Sequence, residues 1–172
     1  CKKRAPQPGV QPRPRDRVPF DLHDEHFALA VIAAPDAGAP GTVCQAPRAE
    51  QRQFCELALE QGRPQARWTD GKGQPVVLTA PDRIVPRMPL VLTLTSAPGR
   101  QRLRINGREV GQAGATLPQA VFDQMLIGWG FVDHYPRDGF RGLVFGAIAG
   151  KGRPGDAELA VLERYLLSLA GD

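Results

Sequence analysis

The chain has 172 residues, of which 42% are hydrophobic and 23% are charged, values that are ordinary for one globular domain. No apolar run approaches the length of about 18 residues that a transmembrane helix requires, so the sequence predicts none. The 19 glycines and 17 prolines indicate many turns and short elements.

The positive charge is concentrated at the amino terminus. Residues 1–19 carry six basic side chains against Asp16, a net charge of +5, whereas the other 153 residues carry 16 basic and 17 acidic side chains, a net charge of −1. The basic residues are Lys2, Lys3, Arg4, Arg13, Arg15 and Arg17. Together with five prolines they predict an extended, basic tether over residues 1–19, followed by a folded domain over residues 20–172. Because the domain itself is not basic, we expect no nucleic-acid partner.

Short strands separated by turns follow in chain order. The predicted strands are Phe27–Ala34, Thr42–Gln45, Gln53–Leu59, Gln65–Thr69, Pro75–Thr79, Pro89–Thr95, Arg102–Asn106, Arg108–Gly111, Gln124–Phe131 and Arg141–Ala149. The first is a continuous apolar run, which is typical of a strand buried on both faces. The dipeptide Asn106–Gly107 is a strong signal for a tight hairpin turn.

In the last segment of the chain, the spacing of hydrophobic residues changes from that of strands to that of a helix. Leucines at positions 159, 162, 166 and 169 recur at steps of three and four residues and form one helical stripe. Asp156 and Glu158 lie in the first turn, where their negative charges interact favourably with the helix dipole. Gly171 can end the helix. Eight to eleven strands followed by one helix indicate an all-β sandwich or jelly roll.

Several segments resemble a known family in their order and spacing. They are Leu90–Thr95, Arg102–Gly107, Gln124–Gly128, Phe140–Ala149, Asp156–Glu158 and Tyr165–Leu166. Together they resemble concanavalin A-like (LamG-type) jelly-roll domains of bacteria. The resemblance implies a concanavalin A-like jelly-roll β-sandwich with one C-terminal α-helix and a glycan or protein partner. Some members hold calcium, but few of their Asp and Asn ligands can be matched here, and Ala149 stands where the family often has Glu.

The three cysteines give an indication of the cellular compartment in which the protein acts. Cys44 and Cys55 lie on the two arms of a predicted hairpin and could face each other, so we expect a disulfide between them. The alternative is a pair of reduced cysteines in the core. Cys1, followed by a basic, proline-rich spacer, is similar to the lipid-modified residue of a mature bacterial lipoprotein. This predicts a lipid-anchored protein of the periplasm or outer membrane, or a secreted one, with membrane contact through Cys1 and the tether.

Signatures of catalysis are missing from the sequence. Neither serine lies in a G-x-S-x-G motif, and no strand carries the E-x-D-x-x-E carboxylates of jelly-roll glucanases. We therefore expect a protein that is not an enzyme and holds no catalytic metal. Recognition of a ligand is instead predicted for one loop, over residues 131–140, because loops on rigid scaffolds often carry function.

The candidate ligand-binding residues are Trp68, Trp129, Asp133, His134, Tyr135, Arg137 and Asp138. Each has a structural alternative: the tryptophans could pack in the core, and the loop could be a turn held by its own Asp–Arg pairs. The sequence thus predicts a non-catalytic recognition domain of the bacterial cell envelope that binds a glycan or a protein. The alternative is a structural or assembly subunit of a larger envelope complex, without a small ligand.

Overall fold

A computed structural model describes residues 26–36, 40–48, 51–70, 72–114, 124–132, 135–136 and 139–171. The strands are β1 (Phe27–Pro35), β2 (Gly41–Arg48), β3 (Gln51–Glu60), β4 (Arg63–Thr69), β5 (Pro75–Thr79), β6 (Leu90–Ala97), β7 (Arg100–Ile105), β8 (Arg108–Ala113), β9 (Leu126–Ile127), β10 (Phe131–Val132), β11 (Tyr135–Pro136) and β12 (Gly142–Lys151). The helix is α1 (Asp156–Ser168). The predicted tether at residues 1–19 lies outside the described residues.

The strands form two antiparallel sheets of five strands each. One sheet has the order β12-β1-β6-β7-β8 and the other β5-β4-β3-β2-β9, while β10 and β11 pair with each other. The core between the sheets includes Leu29, Leu57, Trp68, Leu92 and Leu103, all fully buried. The protein is therefore a jelly-roll β-sandwich with one C-terminal helix, and the predicted fold class is confirmed.

Strand β1 is buried on both faces, as its apolar sequence predicts. Its side chains alternate, so Leu29 and Val31 point into the core between the sheets. Ala30 and Ile32 point to the other face, where Leu166 of α1 covers them. A strand between two apolar layers needs no polar positions, which explains its continuous run of hydrophobic residues.

Helix α1 is fixed to its sheet by charge as well as by leucines. Glu163 is buried and accepts hydrogen bonds from Nε (2.9 Å) and Nη2 (3.1 Å) of Arg104 on β7. Arg102 donates to Asp156 at the start of the helix, at 2.9 Å. The helix ends at Ser168, before the predicted Gly171. In the described residues no helix is long and apolar enough to cross a membrane.

One predicted turn is confirmed by the structure, whereas one predicted strand is not. The hairpin turn at Asn106–Gly107 is confirmed, with φ angles of 48° and 85°. The predicted strand Gln124–Phe131 is wrong as one element, because only Leu126–Ile127 and the start of β10 are extended and paired. Gly128 has a φ of 79°, which breaks the strand between them.

The predicted disulfide is wrong, since Cys44 and Cys55 are both free and buried. The two cysteines are not opposite each other: Cys44 pairs with Leu57, and Cys55 pairs with Ala46. They are therefore diagonal neighbours across β2 and β3, whereas a disulfide needs closely approaching Cβ atoms. Burial raises the pKa of Cys44 to about 12 and raises that of Cys55 well above its ordinary value. Both are unreactive core thiols, the alternative that the sequence left open.

Candidate functional site

The outer face of the β5-β4-β3-β2 sheet carries a continuous set of polar side chains. Residues that pair across neighbouring strands lie on the same face of this sheet. On the face that points away from the core, most of these residues are polar. We name this set the polar face; its residues are Thr42, Gln45, Glu56, Glu60, Gln65, Arg67 and Thr79.

Glu56 lies at the centre of the polar face and is fully buried. Its Oε2 accepts hydrogen bonds from Oγ1 of Thr42 at 3.3 Å and from Nε2 of Gln45 at 3.1 Å. Its Oε1 lies 3.4 Å from Nη1 of Arg67 on β4. A buried carboxylate is tolerated only when donors surround it, and here they come from the strands on either side.

Arg67 extends this network towards solvent. Its Nη2 donates to Oε2 of Glu60 at 2.8 Å, and its Nε donates to Oε1 of Gln65 at 2.7 Å. Gln65 in turn donates to Oγ1 of Thr79 on β5 at 3.0 Å. The side chains of Glu60 and Thr79 are accessible, so the network runs from a buried centre to an exposed border that a ligand can reach.

A short segment from Gly128 to Gly130 lies against β2 at the other border. The N–H of Gly128 donates to the carbonyl of Val43 at 2.9 Å. At Gly130, a Cβ atom would come within 2.9 Å of the side-chain amide of Gln45, so a larger residue there would require this side chain or the segment to shift. Trp129 lies between the two glycines, with 47% of its surface exposed.

The arrangement is suited to recognising hydroxyl and amide groups. Fixed carboxylate, amide and guanidinium groups supply hydrogen bonds in set directions, and an exposed indole offers a flat apolar surface. Neighbouring strands lie about 4.8 Å apart, so the four spacings from β9, which Trp129 follows, to β5 make roughly 19 Å. In the described part of the chain, no group of three or more His, Cys, Asp or Glu side chains is placed to hold a metal ion.

The structure separates the predicted ligand-binding residues. Trp68 points from β4 into the core and is fully buried. It is therefore removed from the candidate ligand-binding residues. Trp129 is exposed, and the neighbouring Gly130 approaches Gln45 of the polar face. Asp133, His134, Arg137 and Asp138 lie outside the described residues, and of Tyr135 only the backbone is described, in β11. The prediction for this loop stays a prediction.

Sequence reasoning missed the centre of the polar face. Glu56 looks isolated in its strand, because its partners lie on β2 and β4 and are distant in sequence. A signal was present, since polar residues alternate with core residues along Cys55–Glu60 and again along Gln65–Trp68. Read as a two-residue period, this alternation indicates an outer face with buried polar members.

Comparisons with known proteins define the fold. No family model and no curated protein sequence matches the chain. Among solved structures, the chain is similar to a heptameric SAP-like pentraxin from Limulus polyphemus, with a TM-score of 0.66, 11% identity, and 91% of this chain and 79% of that one covered. It is also similar to the CBM40 domain of a Ruminococcus gnavus sialidase bound to α2,3-sialyllactose, with a TM-score of 0.66, 13% identity, and coverage of 84% and 91%.

A third similar structure is that of domains LG4-5 of the mouse laminin α1 chain, with a TM-score of 0.61, 12% identity, and coverage of 81% of this chain and 40% of that one. At these identities the likeness establishes the fold, which is the concanavalin A-like jelly roll that the sequence predicts.

Proposed function

We propose that the protein is a non-catalytic recognition domain that binds a glycan on the polar face. The observation that carries the proposal is Trp129, which is half exposed and is followed by Gly130, a residue that closely approaches Gln45 of the polar face. An indole stacks on the apolar side of a sugar ring, while groups such as Glu60 bond to its hydroxyls. A sialyllactose complex of a carbohydrate-binding domain with this fold supports a glycan as the ligand.

The geometry of the carboxylates supports binding rather than hydrolysis. A glycosidase needs two carboxyl groups facing each other across the scissile bond, about 5–9.5 Å apart. Glu56 and Glu60 instead share the guanidinium of Arg67, at 3.4 Å and 2.8 Å, and Glu56 has no exposed surface. Neither of these two carboxylates is available as a general acid or nucleophile.

Glycan-array screening followed by calorimetry tests this function. We expect Trp129→Ala to weaken binding of the captured glycan at least about tenfold, because the stacking surface is lost. Tyr165→Ala is the matched control, since Tyr165 is also exposed but lies on α1. Equal affinities for the two variants, or an array without a bound glycan, would refute the proposal.

The second candidate is an assembly subunit, and one observation favours it. Leu143 and Phe145 are exposed large hydrophobic residues on β12, an edge strand of its sheet. Exposed apolar edge strands are sites where another chain can add. If Phe145→Lys releases the protein from a native complex while Trp129→Ala does not, the assembly function is favoured over glycan binding.

We also propose that the domain acts at the bacterial cell envelope or after secretion, attached through Cys1 and the basic tether. The composition of residues 1–19 supports this place of action. The intact mass of the native, membrane-extracted protein tests it, and a lipid-sized increment on the peptide that contains Cys1 is expected. An unmodified Cys1 would contradict the anchor.

A further inference from the structure

A loop over residues 80–89 closes one end of the sandwich. Backbone groups hold it to the body: Ile84 N–H donates to the carbonyl of Gly62 at 2.8 Å, and Arg87 N–H donates to that of Pro35 at 2.6 Å. The guanidinium of Arg63 donates to the carbonyl of Pro81 at 2.7 Å. The loop is therefore a fixed part of the surface.

A tight turn at the tip of this loop presents two apolar side chains together. The N–H of Met88 donates to the carbonyl of Val85 at 3.2 Å, and Arg87 at the third position has a φ of 62°. That conformation normally selects Gly or Asn, so an arginine there is an exception. Val85 and Met88, at the ends of the turn, are 59% and 58% exposed.

Beneath the turn lies a groove of about 240 Å³ between the loop and the β7–β8 hairpin. Its apolar lining reaches the edge of the core, where Leu90 is buried. The apolar lining residues are Ile84, Val85, Met88, Leu90, Ile105 and Val110. A concave apolar site of this size takes one or two side chains rather than a flat lipid surface.

The rim of the groove is basic. Arg83 and Arg108 line it, and Arg87 lies in the turn. Within the described residues, these three side chains form no ion pair, whereas Arg67, Arg102 and Arg104 are all paired with carboxylates. Asp82 is the acidic residue that lines the groove. The rim thus keeps uncompensated positive charge around an apolar pocket.

We propose that this arginine-rimmed groove binds an acidic peptide segment, with one large apolar side chain in the pocket and flanking carboxylates on the arginines. Arginine matches a carboxylate with two parallel hydrogen bonds, which suits recognition of Asp and Glu. The site is separate from the polar face, so it would let the domain hold a protein partner while a glycan is bound.

Fluorescence anisotropy tests the proposal with a labelled nonapeptide that has four glutamates on each side of a central leucine. We expect binding that weakens with added salt, because exposed charge pairs are screened. Peptides with lysine in place of glutamate, or serine in place of leucine, should bind at least about tenfold more weakly.

Two matched pairs of variants locate the site. Val85→Glu is expected to weaken peptide binding at least about tenfold, whereas Val161→Glu, at a valine of 58% exposure on α1, should not change it. Arg83→Gln/Arg108→Gln should weaken binding and flatten its salt dependence, and Arg164→Gln on α1 should do neither. Circular dichroism confirms that each variant is folded.

Three outcomes would overturn the proposal. They are no binding of the acidic peptide, equal effects of Val85→Glu and Val161→Glu, and binding to phosphatidylglycerol vesicles through Val85 without binding to the peptide. The last would assign the groove to an anionic membrane surface. Glycan binding is measured on the same Val85→Glu variant, so a failure of the polar face and a failure of the groove can be distinguished.

Discussion

A single buried ion pair connects the helix to the sandwich. Glu163 and Arg104 have side chains only 3% and 7% exposed and share two hydrogen bonds. The hydrogen bonds that Arg104 donates to Glu163 are the main reason that the pKa of Arg104 is raised, so the guanidinium stays charged. Such a pair contributes little relative to apolar residues of the same volume, but removal of one partner leaves a buried charge.

Removal of Glu163 should therefore be severe. We expect Glu163→Ala to lower the free energy of unfolding by about 3–5 kcal/mol, measured by urea denaturation. Arg104→Met/Glu163→Leu should restore most of this loss, because both charges are gone. Arg100→Ala is the control, since Arg100 forms only an exposed pair with Glu109 and should cost less than about 1 kcal/mol. Additive effects in the double variant would argue against the coupling.

The buried thiols predict a loss of stability at alkaline pH. The folded chain keeps the proton of Cys44 up to a pKa of about 12, whereas the unfolded chain loses it near the ordinary value of 9.0. The unfolded state then binds fewer protons, so the free energy of unfolding falls as pH rises from about 9 towards 12. At pH 10 the loss that comes from Cys44 is about 1.4 kcal/mol, and Cys55 acts in the same direction.

Urea denaturation at pH 8 and pH 10 measures this slope. Cys44→Ala/Cys55→Ala is expected to be less stable at pH 8, because cavities replace the thiols, yet to lose less stability between the two pH values. A slope that matches the unsubstituted protein would mean that other groups cause the alkaline loss.

Individual elements show how far the sequence determines the structure. Strand β1, the Asn106–Gly107 turn and the start of α1 follow from local patterns, because apolar runs, turn residues and first-turn acids act over a few positions. The break at Gly128 and the offset between Cys44 and Cys55 depend on how distant strands align. The polar face likewise combines residues from four strands, so no single segment of the sequence reveals it.

The segment from Gly128 to Gly130 offers a test of how the candidate site is built. We expect Gly130→Ala to displace this segment, since a Cβ would lie 2.9 Å from the amide of Gln45. The fold should remain, but Trp129 should move and glycan affinity should fall at least about tenfold. Tryptophan fluorescence and calorimetry measure the two effects.

Gly150→Ala is the control for this change, because a Cβ at Gly150 meets no atom within 4 Å. It should leave both the fluorescence and the affinity unchanged. Unchanged glycan affinity in Gly130→Ala would show that the position of Trp129 is not part of recognition.

At the scale of the molecule, the two sheets use their outer faces differently. The sheet that contains β1 is covered by α1, which packs on Ala30 and Ile32 and forms ion pairs with Arg102 and Arg104. The opposite sheet has a polar outer face, and hydrogen bonds within that face hold its buried carboxylate. The sheet that the helix leaves free is the one on which we propose that recognition occurs.

The charge distribution of the whole chain gives the last prediction. Residues 1–19 carry a net charge of +5 and the remainder carries −1, so attraction to an anionic surface should come from the tether. Each basic residue near such a surface contributes about 1 kcal/mol, and removal of residues 1–19 should reduce binding to phosphatidylglycerol vesicles by about a hundredfold or more. Cosedimentation at low salt measures this, and added salt should abolish the difference. Val85→Glu in the full chain is the control and should not change vesicle binding; equal binding of the full and shortened chains would place the attraction on the folded domain instead.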